Sequence, residues 1–509
     1  MWNREALHNL IEAKLKPRKM IVVSNREPYL HRMQGSKIEC LRPASGMVTA
    51  LDPILRACGG TWVAHGSGNA DRKTVDKFDR VAVPPNAPEY TLRRVWLTKE
   101  QENRYYYSLS NEGIWPLCHV TFVRPKFNPD DWNCYRQVNE IFANAILRES
   151  EDQPAFVFIQ DFHFALLPRL LKLANPNLIV AQFWHIPWPN RELIRTFPWK
   201  EELIDGLLGN DLLGFHLRLH CQNFLDTVDR LLEALVDHER SEIQRQGHST
   251  LIRPFPISID FEHHAQEANS PAVAALVDQY RERYATADSF IGIGIERLDY
   301  TKGIPDRLNG LDRFFEKYPQ YVERVSYIQV GVPSRSHIPT YQQLEDDVED
   351  LVERINWKWG TDNWKPIHLI KEHLGLPEMT ALARLAHFCI VSSLHDGMNL
   401  VAKEFVASRT DGDGVLILSQ FTGSARELVD AVLINPFALD EIAEAIRTAV
   451  EMPEPERRRR MARLREAVEN NNIYRWAGKI LSALLRIDTP DDDLTREHGT
   501  QSPPPHPDP

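Results

Sequence analysis

Two segments in the C-terminal half carry side chains able to handle a phosphate-bearing ligand. In Gly294-Ile-Glu-Arg297-Leu-Asp-Tyr-Thr-Lys302-Gly303, an arginine and a lysine share a loop that follows an apolar run and precedes Pro305, where a helix can begin. Two cations beside a helix N-terminus make a cradle for a diphosphate and can neutralise it as it departs. Taken alone, the segment also fits an ordinary helix start with solvated charges. In His395-Asp-Gly-Met-Asn-Leu-Val-Ala-Lys-Glu404, Asp396 and Gly397 end a loop and a helix follows. Its free amides can bind phosphate oxygens, and Glu404, about two turns in, can take the hydroxyls of a ribose. Taken alone, Asp396 also fits a helix cap and Glu404 a surface residue. The N-terminal half offers Arg26 after the first apolar run and Ser45-Gly46-Met47, where a helix opens with its backbone accessible to an anion. Tyr106 and Trp115 can pack against or hydrogen-bond a sugar phosphate, and Asp161 and His185 follow two further apolar runs. A lone histidine beside a proline is more often structural.

The elements that must position these residues are legible as short apolar runs, each ending in polar residues. In the first half they cover 20–23, 155–159, 178–184 and 212–215; in the second, 290–295, 325–330, 388–391, 415–418 and 431–434. Helical stretches lie between them, at 138–148, 165–173 and 217–235, and 454–485 closes the series. Alternation of this kind predicts an α/β protein with parallel sheets covered on both faces, whose ligands bind beyond the carboxyl ends of the strands. The Pro254-Phe-Pro256 stretch marks a boundary, giving an N-terminal domain over 1–258 and a C-terminal one over 259–486, with a last helix free to return to the first. The acidic, then proline-rich 487–509 is expected to be a disordered tail. The arginine run 457–460 fits a solvated helix face.

Composition narrows the function classes. With 509 residues, 43% hydrophobic and 26% charged, the chain is long enough for two globular cores. Lys plus Arg number 60 against 71 Asp plus Glu, a net charge of −11, which argues against a nucleic-acid partner. The six cysteines form no CxxC pair and have no histidine at zinc spacing; they read as buried small hydrophobes in a reducing compartment. The N-terminus lacks the apolar core of a signal peptide and no apolar run is long enough for a bilayer, so no membrane partner and a cytoplasmic location are expected.

The ordered set of motifs resembles the trehalose-6-phosphate synthases, retaining glucosyltransferases of the GT-B fold. It comprises Ser24-Asn-Arg26, Gly59-Gly-Thr-Trp62, Asn111 to Trp115-Pro116, Asp161 to Pro168, His185-Ile-Pro-Trp-Pro189 and Asp211-Leu-Leu-Gly-Phe215. It continues with Glu296 to Gly303, Pro333-Ser-Arg335, Asp396 to Glu404 and Leu418-Ser-Gln-Phe421, covering about residues 20 to 485. The resemblance implies two Rossmann-like domains facing across a cleft. It implies that Arg297 and Lys302 hold the donor diphosphate, that Glu404 binds the ribose, and that Asp396 and His185 bind the donor glucose, with backbone amides near Asn399 and Leu400 assisting. Gly46 would close on the donor phosphates. Asp161 would contact the acceptor sugar, and Arg26, Tyr106, Trp115 and Arg335 would bind the acceptor phosphate. Asp161, His185, Arg297 and Lys302 would form the catalytic set, acting through a front-face reaction without a metal or cofactor.

Several positions depart from that pattern. Arg26-Glu27-Pro28-Tyr29 is similar to glucosylglycerol-phosphate synthases, whose acceptor is glycerol-3-phosphate and whose donor is typically ADP-glucose. Ser45-Gly46 replaces a Gly-Gly, His65 replaces an aromatic residue, and His395 replaces an arginine. The expected reaction is glucose transfer from a nucleoside-diphosphate glucose, UDP-glucose ahead of ADP- or GDP-glucose, to glucose-6-phosphate. The alternative is glucosylglycerol-phosphate synthesis. Retention of the four catalytic residues weighs against an inactive relative, and the joint presence of diphosphate and ribose positions weighs against a simple sugar-binding module. A homo-oligomer is compatible with the sequence, which does not fix it.

Overall fold

The computed structural model describes the chain apart from residues 1, 15–18, 43–47, 49–50, 53–54, 57–58, 152, 286–288 and 489–509. Two large sheets organise it. The strand Lys19–Arg26 carries the β-branched run Ile21-Val-Val23 and buries Met20 to Ser24 without alternation, as a parallel strand covered on both faces must. It pairs with Ala155–Gln160 on one side and Thr61–His65 on the other, Val22 lying opposite Phe158 and Trp62. Beyond Ala155–Gln160 come Ile179–Phe183, Leu212–Phe215 and His248–Pro254; beyond Thr61–His65 comes Tyr90–Val95, all parallel to their neighbours. Antiparallel strands finish the ten-stranded sheet: Arg80–Val83 at one edge, the Leu235–Asp237 and Glu242–Arg245 hairpin at the other.

The second sheet is wholly parallel, with six strands in the spatial order Ile367–Ile370, Val325–Val332, Phe290–Arg297, Phe388–Val391, Val415–Ser419 and Val432–Ile434. Its helices divide its core into two layers, one around Ile293 and Phe405, the other around Phe314 and Tyr327. No helix among the described residues is long and apolar enough to cross a membrane.

The chain crosses between the two units twice. The helix Ile473–Asp488 packs into the core of the first sheet although it follows the second in sequence. Its Trp476 is 2% exposed, meets Phe183 edge to face at 5.2 Å and donates its indole N–H to the Phe255 carbonyl at 3.1 Å.

Two sequence readings are corrected. The helix expected over 217–235 ends earlier, as Arg218–Leu231: Leu232 turns to extended backbone and Leu235 opens the edge hairpin. The apolar residues at 231–236 are not buried as a helix face would be, and Leu235 is exposed on the edge strand. Cys40 is exposed, on the strand Lys37–Leu41 of a separate two-stranded hairpin, whereas Cys118, Cys134, Cys221 and Cys389 are buried and free; Cys58 lies outside the described residues. The arginine run at 457–460 is a partly open helix face whose charges are met by Asp413, Glu454 and Glu456.

Truncating Trp476 to alanine should remove the largest contact of the returning helix and cost about 3–5 kcal/mol. Urea unfolding checks this; a loss under about 1 kcal/mol would mean that the helix merely lies on the sheet.

Candidate active site

The carboxyl end of Lys19–Arg26 delivers Arg26 into the cleft, and its neighbour Glu27 turns away. Glu27 is 2% exposed; Oε2 accepts from Arg94 Nε at 2.8 Å and Oε1 from the Ser67 amide at 2.9 Å. Burial and nearby Asp71 raise its pKa to about 8. Arg26 is therefore left to donate from Nη2 to the Tyr106 hydroxyl at 3.2 Å.

Tyr106 sits in the stretch Glu102–Ile114, which is wound as a π-helix. Such winding is rare and recurs at functional sites. Side chains reinforce it: Ser110 Oγ donates to the Tyr105 carbonyl and Asn111 Nδ2 to the Tyr106 carbonyl. It runs directly into Trp115–His119, so that Tyr106 and Trp115 come from one continuous helix. The Tyr106 ring stacks on His163 at 5.4 Å.

The second unit brings two more arginines to the same place. Arg335, in left-handed backbone at φ +54°, lies over the Trp115 ring at 4.6 Å. It pairs with fully buried Asp299 at 3.4 Å and donates to the Tyr341 hydroxyl. Arg297, at the end of Phe290–Arg297, donates to Ser334 Oγ at 3.3 Å and stays 40% exposed to the cleft. Burial lowers its pKa, and the charges of Arg335 and Arg26 lower it further. Burial raises the Tyr106 pKa, but Arg26, Arg335 and Arg297 outweigh that and bring it down to about 8.

Lys302 and Asp396 form a second group, joined at 2.5 Å. Gly303 makes this possible: its φ is +61°, and a Cβ there would stand 2.3 Å from the Ser392 carbonyl oxygen. The Lys302 turn can thus lie on the loop that follows Phe388–Val391. Burial would raise the Asp396 pKa, but the charge and hydrogen bond of Lys302, with His119 and Asn399, hold it at about 2. Asn399, not Asp396, caps the helix Leu400–Ser408, accepting from the Ala402 amide at 3.2 Å. Leu400 opens that helix, where amides lack intrahelical partners. Glu404 is not a surface residue. It faces a small cavity with Ile293, Ile295 and Thr380, and burial raises its pKa to about 7. Among the described residues its carboxylate has no hydrogen-bond or ion-pair partner.

Asp161 and His185 lie where the two units meet. Asp161 has φ +71°, and Oδ1 accepts from the amides of Phe162 at 3.0 Å and His185 at 3.2 Å. Burial nevertheless lifts its pKa to about 7. Burial lowers that of His185 to about 3, so its ring is neutral; Nε2 lies 2.9 Å from Gln160 Oε1, which can only accept, and carries the ring proton. A Cβ at Gly397 would stand 2.5 Å from the His185 carbonyl oxygen, so only glycine lets the Asp396 loop approach. His395 Nδ1 contacts the His119 carbonyl at 3.0 Å, and the His119 ring packs on Trp115 at 4.1 Å. His395 is thus a fastening between the units.

The structure brings Arg26, Tyr106, Trp115, Arg297 and Arg335 into one cluster, Lys302, Asp396 and Asn399 into a second, and Asp161 with His185 into a third. Leu400 adjoins the second, Glu404 stands apart, and Gly46 lies outside the described residues. Sequence reasoning missed Asp299, Tyr341, His163 and His119. Asp299 sits inside the quoted Glu296–Gly303 motif and His163 inside the Asp161–Pro168 motif, whereas nothing marked Tyr341.

The model of glycosyltransferase family 20 matches residues 18–486. The chain belongs to that family. It is 35% identical to the trehalose-6-phosphate synthase of Mycolicibacterium gilvum, over 91% of this chain and 93% of the relative. It is also 35% identical to that of Mycobacterium tuberculosis, over 91% and 94%. Among solved structures it resembles a trehalose-6-phosphate synthase of Burkholderia multivorans, with TM-score 0.83, 27% identity and coverage of 95% and 100%. An E. coli protein bound with UDP-2-fluoro glucose matches with TM-score 0.81, 29% identity and coverage of 92% and 99%. A Burkholderia xenovorans enzyme in complex with glucose-6-phosphate matches with TM-score 0.82, 26% identity and coverage of 92% and 100%. This family member is a glycosyltransferase of the trehalose-phosphate synthase type, with the GT-B architecture of two Rossmann-like domains across a cleft.

The arginine cluster gives a signed pH dependence. Below pH 8 Tyr106 is a neutral phenol; above it, a phenolate cancels part of the positive charge. Sulfate, whose own charge is constant here, should bind about ten-fold more weakly at pH 9.5 than at pH 7. The fall should vanish in Tyr106→Phe. An unchanged fall in that variant, read by tryptophan fluorescence, would locate the titration elsewhere.

Proposed function

We propose that the enzyme transfers glucose from UDP-glucose to glucose-6-phosphate, producing trehalose 6-phosphate and UDP with the anomeric configuration retained. The observation that carries this is the convergence of Arg26, Arg297 and Arg335 on Tyr106, with Asp299 as the carboxylate paired to Arg297 and Arg335. That excess of positive charge suits a phosphate dianion. The bound ligands of the E. coli and Burkholderia xenovorans relatives support the same pair of substrates.

In this reading the acceptor phosphate sits against Arg26, Tyr106, Trp115 and Arg335, and its sugar extends toward Asp161. The donor diphosphate takes Lys302 from Asp396, with Arg297 and the amides at Leu400 as further donors. Asp396 and neutral His185 hold hydroxyls of the donor glucose, and Glu404 receives the ribose. The bond from the sugar's anomeric carbon to the diphosphate breaks while the acceptor oxygen bonds that carbon on the same face. The acceptor proton passes to a departing diphosphate oxygen. The cations stabilise charge as it develops on the leaving group, and the two clusters supply orientation. Lys302 can change partners because Asp396 is held at once by Ser393 and Asn399.

The glycerol-3-phosphate alternative rested on the string Arg26-Glu27-Pro28-Tyr29, in which Glu27 and Tyr29 carry the departure. Both are tied into the scaffold, Glu27 to Arg94 and Tyr29 to Arg56 and Asp52. That anchoring weighs in favour of glucose-6-phosphate as the acceptor.

Incubation with an equimolar mixture of UDP-, ADP- and GDP-glucose, with each acceptor offered separately, tests the proposal by mass spectrometry. A disaccharide phosphate from glucose-6-phosphate with release of UDP is expected. Product from glycerol-3-phosphate alone would overturn the acceptor, and release of ADP or GDP alone would overturn the donor.

A further inference from the structure

One cavity lies away from the cleft. About 500 Å³ in volume, it lies along the edge strand Ile367–Ile370 of the second sheet, between the helices Pro271–Tyr284 and Pro339–Trp359. None of its lining residues belongs to the site above.

Its walls combine three kinds of group. Tyr280, Arg283 and Tyr284 fall on one face of the last turn of their helix, three and four residues apart. Both tyrosines bury most of their rings, and the Arg283 guanidinium lies over the Tyr284 ring at 5.1 Å. Opposite them, Lys365 and His368 come from the edge strand and its approach. Arg283 and Lys365 are exposed at the rim, and among the described residues neither forms an ion pair. The His368 ring meets Tyr284 edge to face at 4.9 Å; burial, then Lys365 and Arg283, lower its pKa to about 4, so it is a neutral hydrogen-bonding group. One acid, Glu372, shares the wall.

We propose that this cavity is a second ligand site, for a phosphomonoester carried on a hydroxyl-rich ring, such as a sugar phosphate. Its volume lies in the range of small-molecule sites. Arg283 and Lys365 take the phosphate, the only strongly anionic part of such a ligand. The ring rests against Tyr284, while His368, the tyrosine hydroxyls and Glu372 meet its hydroxyls. The same long helix that lines the cavity carries, in its first turn, Tyr341, the partner of Arg335. An occupant therefore touches an element that helps to hold the arginine cluster.

Equilibrium titration with glucose-6-phosphate, calorimetrically and in the full-length protein, tests this. Arg335→Ala weakens the cleft site, and Arg283→Ala with Lys365→Ala removes the rim charges of the cavity. Two binding events are expected in the unaltered protein and one retained event in Arg335→Ala. Adding the rim substitutions to Arg335→Ala should weaken that event by about ten-fold or more. The rim variant alone should keep its melting temperature and its turnover. Inorganic phosphate, lacking the ring, should compete only weakly for the retained event. A single event that disappears in Arg335→Ala would overturn the proposal, as would a second event indifferent to the rim substitutions. Neither result bears on the acceptor assignment, which the product assay decides separately.

Discussion

Holding like charges together is the constraint on which this site depends. Arg26, Arg297 and Arg335 approach one phenol closely enough to lower its pKa to about 8 against the effect of burial. Such a cluster costs free energy unless something fixes each member in place. Asp299 offsets part of the charge, from a fully buried position where its own pKa is lowered by Arg335, Arg297 and Lys302 in spite of burial. Trp115 and Tyr341 hold the Arg335 guanidinium between them. The proposed recognition of an anionic ligand rests on the remaining charge, which the fold sets in place on its own.

That arrangement requires both units. Arg26, Tyr106 and Trp115 come from the first, Arg297 and Arg335 from the second, so relative motion of the two would separate the cluster. Three features oppose such motion. Gly397 seats the Asp396 loop against His185, His395 reaches the His119 carbonyl beside Trp115, and the helix Ile473–Asp488 returns to the first sheet. Two of these contacts, one a close backbone approach and one a ring nitrogen on a carbonyl, lie at the candidate site itself, which links the packing of the interface to the alignment of its side chains.

Much of this was legible in the sequence where burial dictates residue type. Central strands such as Lys19–Arg26, Ala155–Gln160 and Phe290–Arg297 are continuous apolar runs because both faces are covered, and their polar ends pointed to the candidate site residues. The internal strands Thr61–His65, Tyr90–Val95 and His248–Pro254 were missed, the second because Arg93 and Arg94 interrupt its apolar run. The edge strands were not legible, except Val432–Ile434. Leu235–Asp237 leaves Leu235 exposed and continues the apolar pattern of the preceding helix, and Ile367–Ile370 is a short run interrupted by His368. The direction of Glu27 was also hidden, because its partner Arg94 lies 67 positions away and only the pairing of strands brings it near. Tyr341 escaped for another reason: its contact with Arg335 is local, across a turn, and leaves no mark in residue type or periodicity. The helix cap moved from Asp396 to Asn399 because a lysine distant in sequence claims the aspartate.

The central claim is that the arginine cluster recognises the acceptor through its phosphate. The most direct measurement compares kcat/KM for glucose-6-phosphate with that for unphosphorylated glucose, in the unaltered enzyme and in Arg335→Ala. The account predicts a strong preference for the phosphorylated acceptor that shrinks by about 10- to 100-fold in the variant, through loss of charge-assisted hydrogen bonds. A preference that survives the substitution undiminished would contradict it.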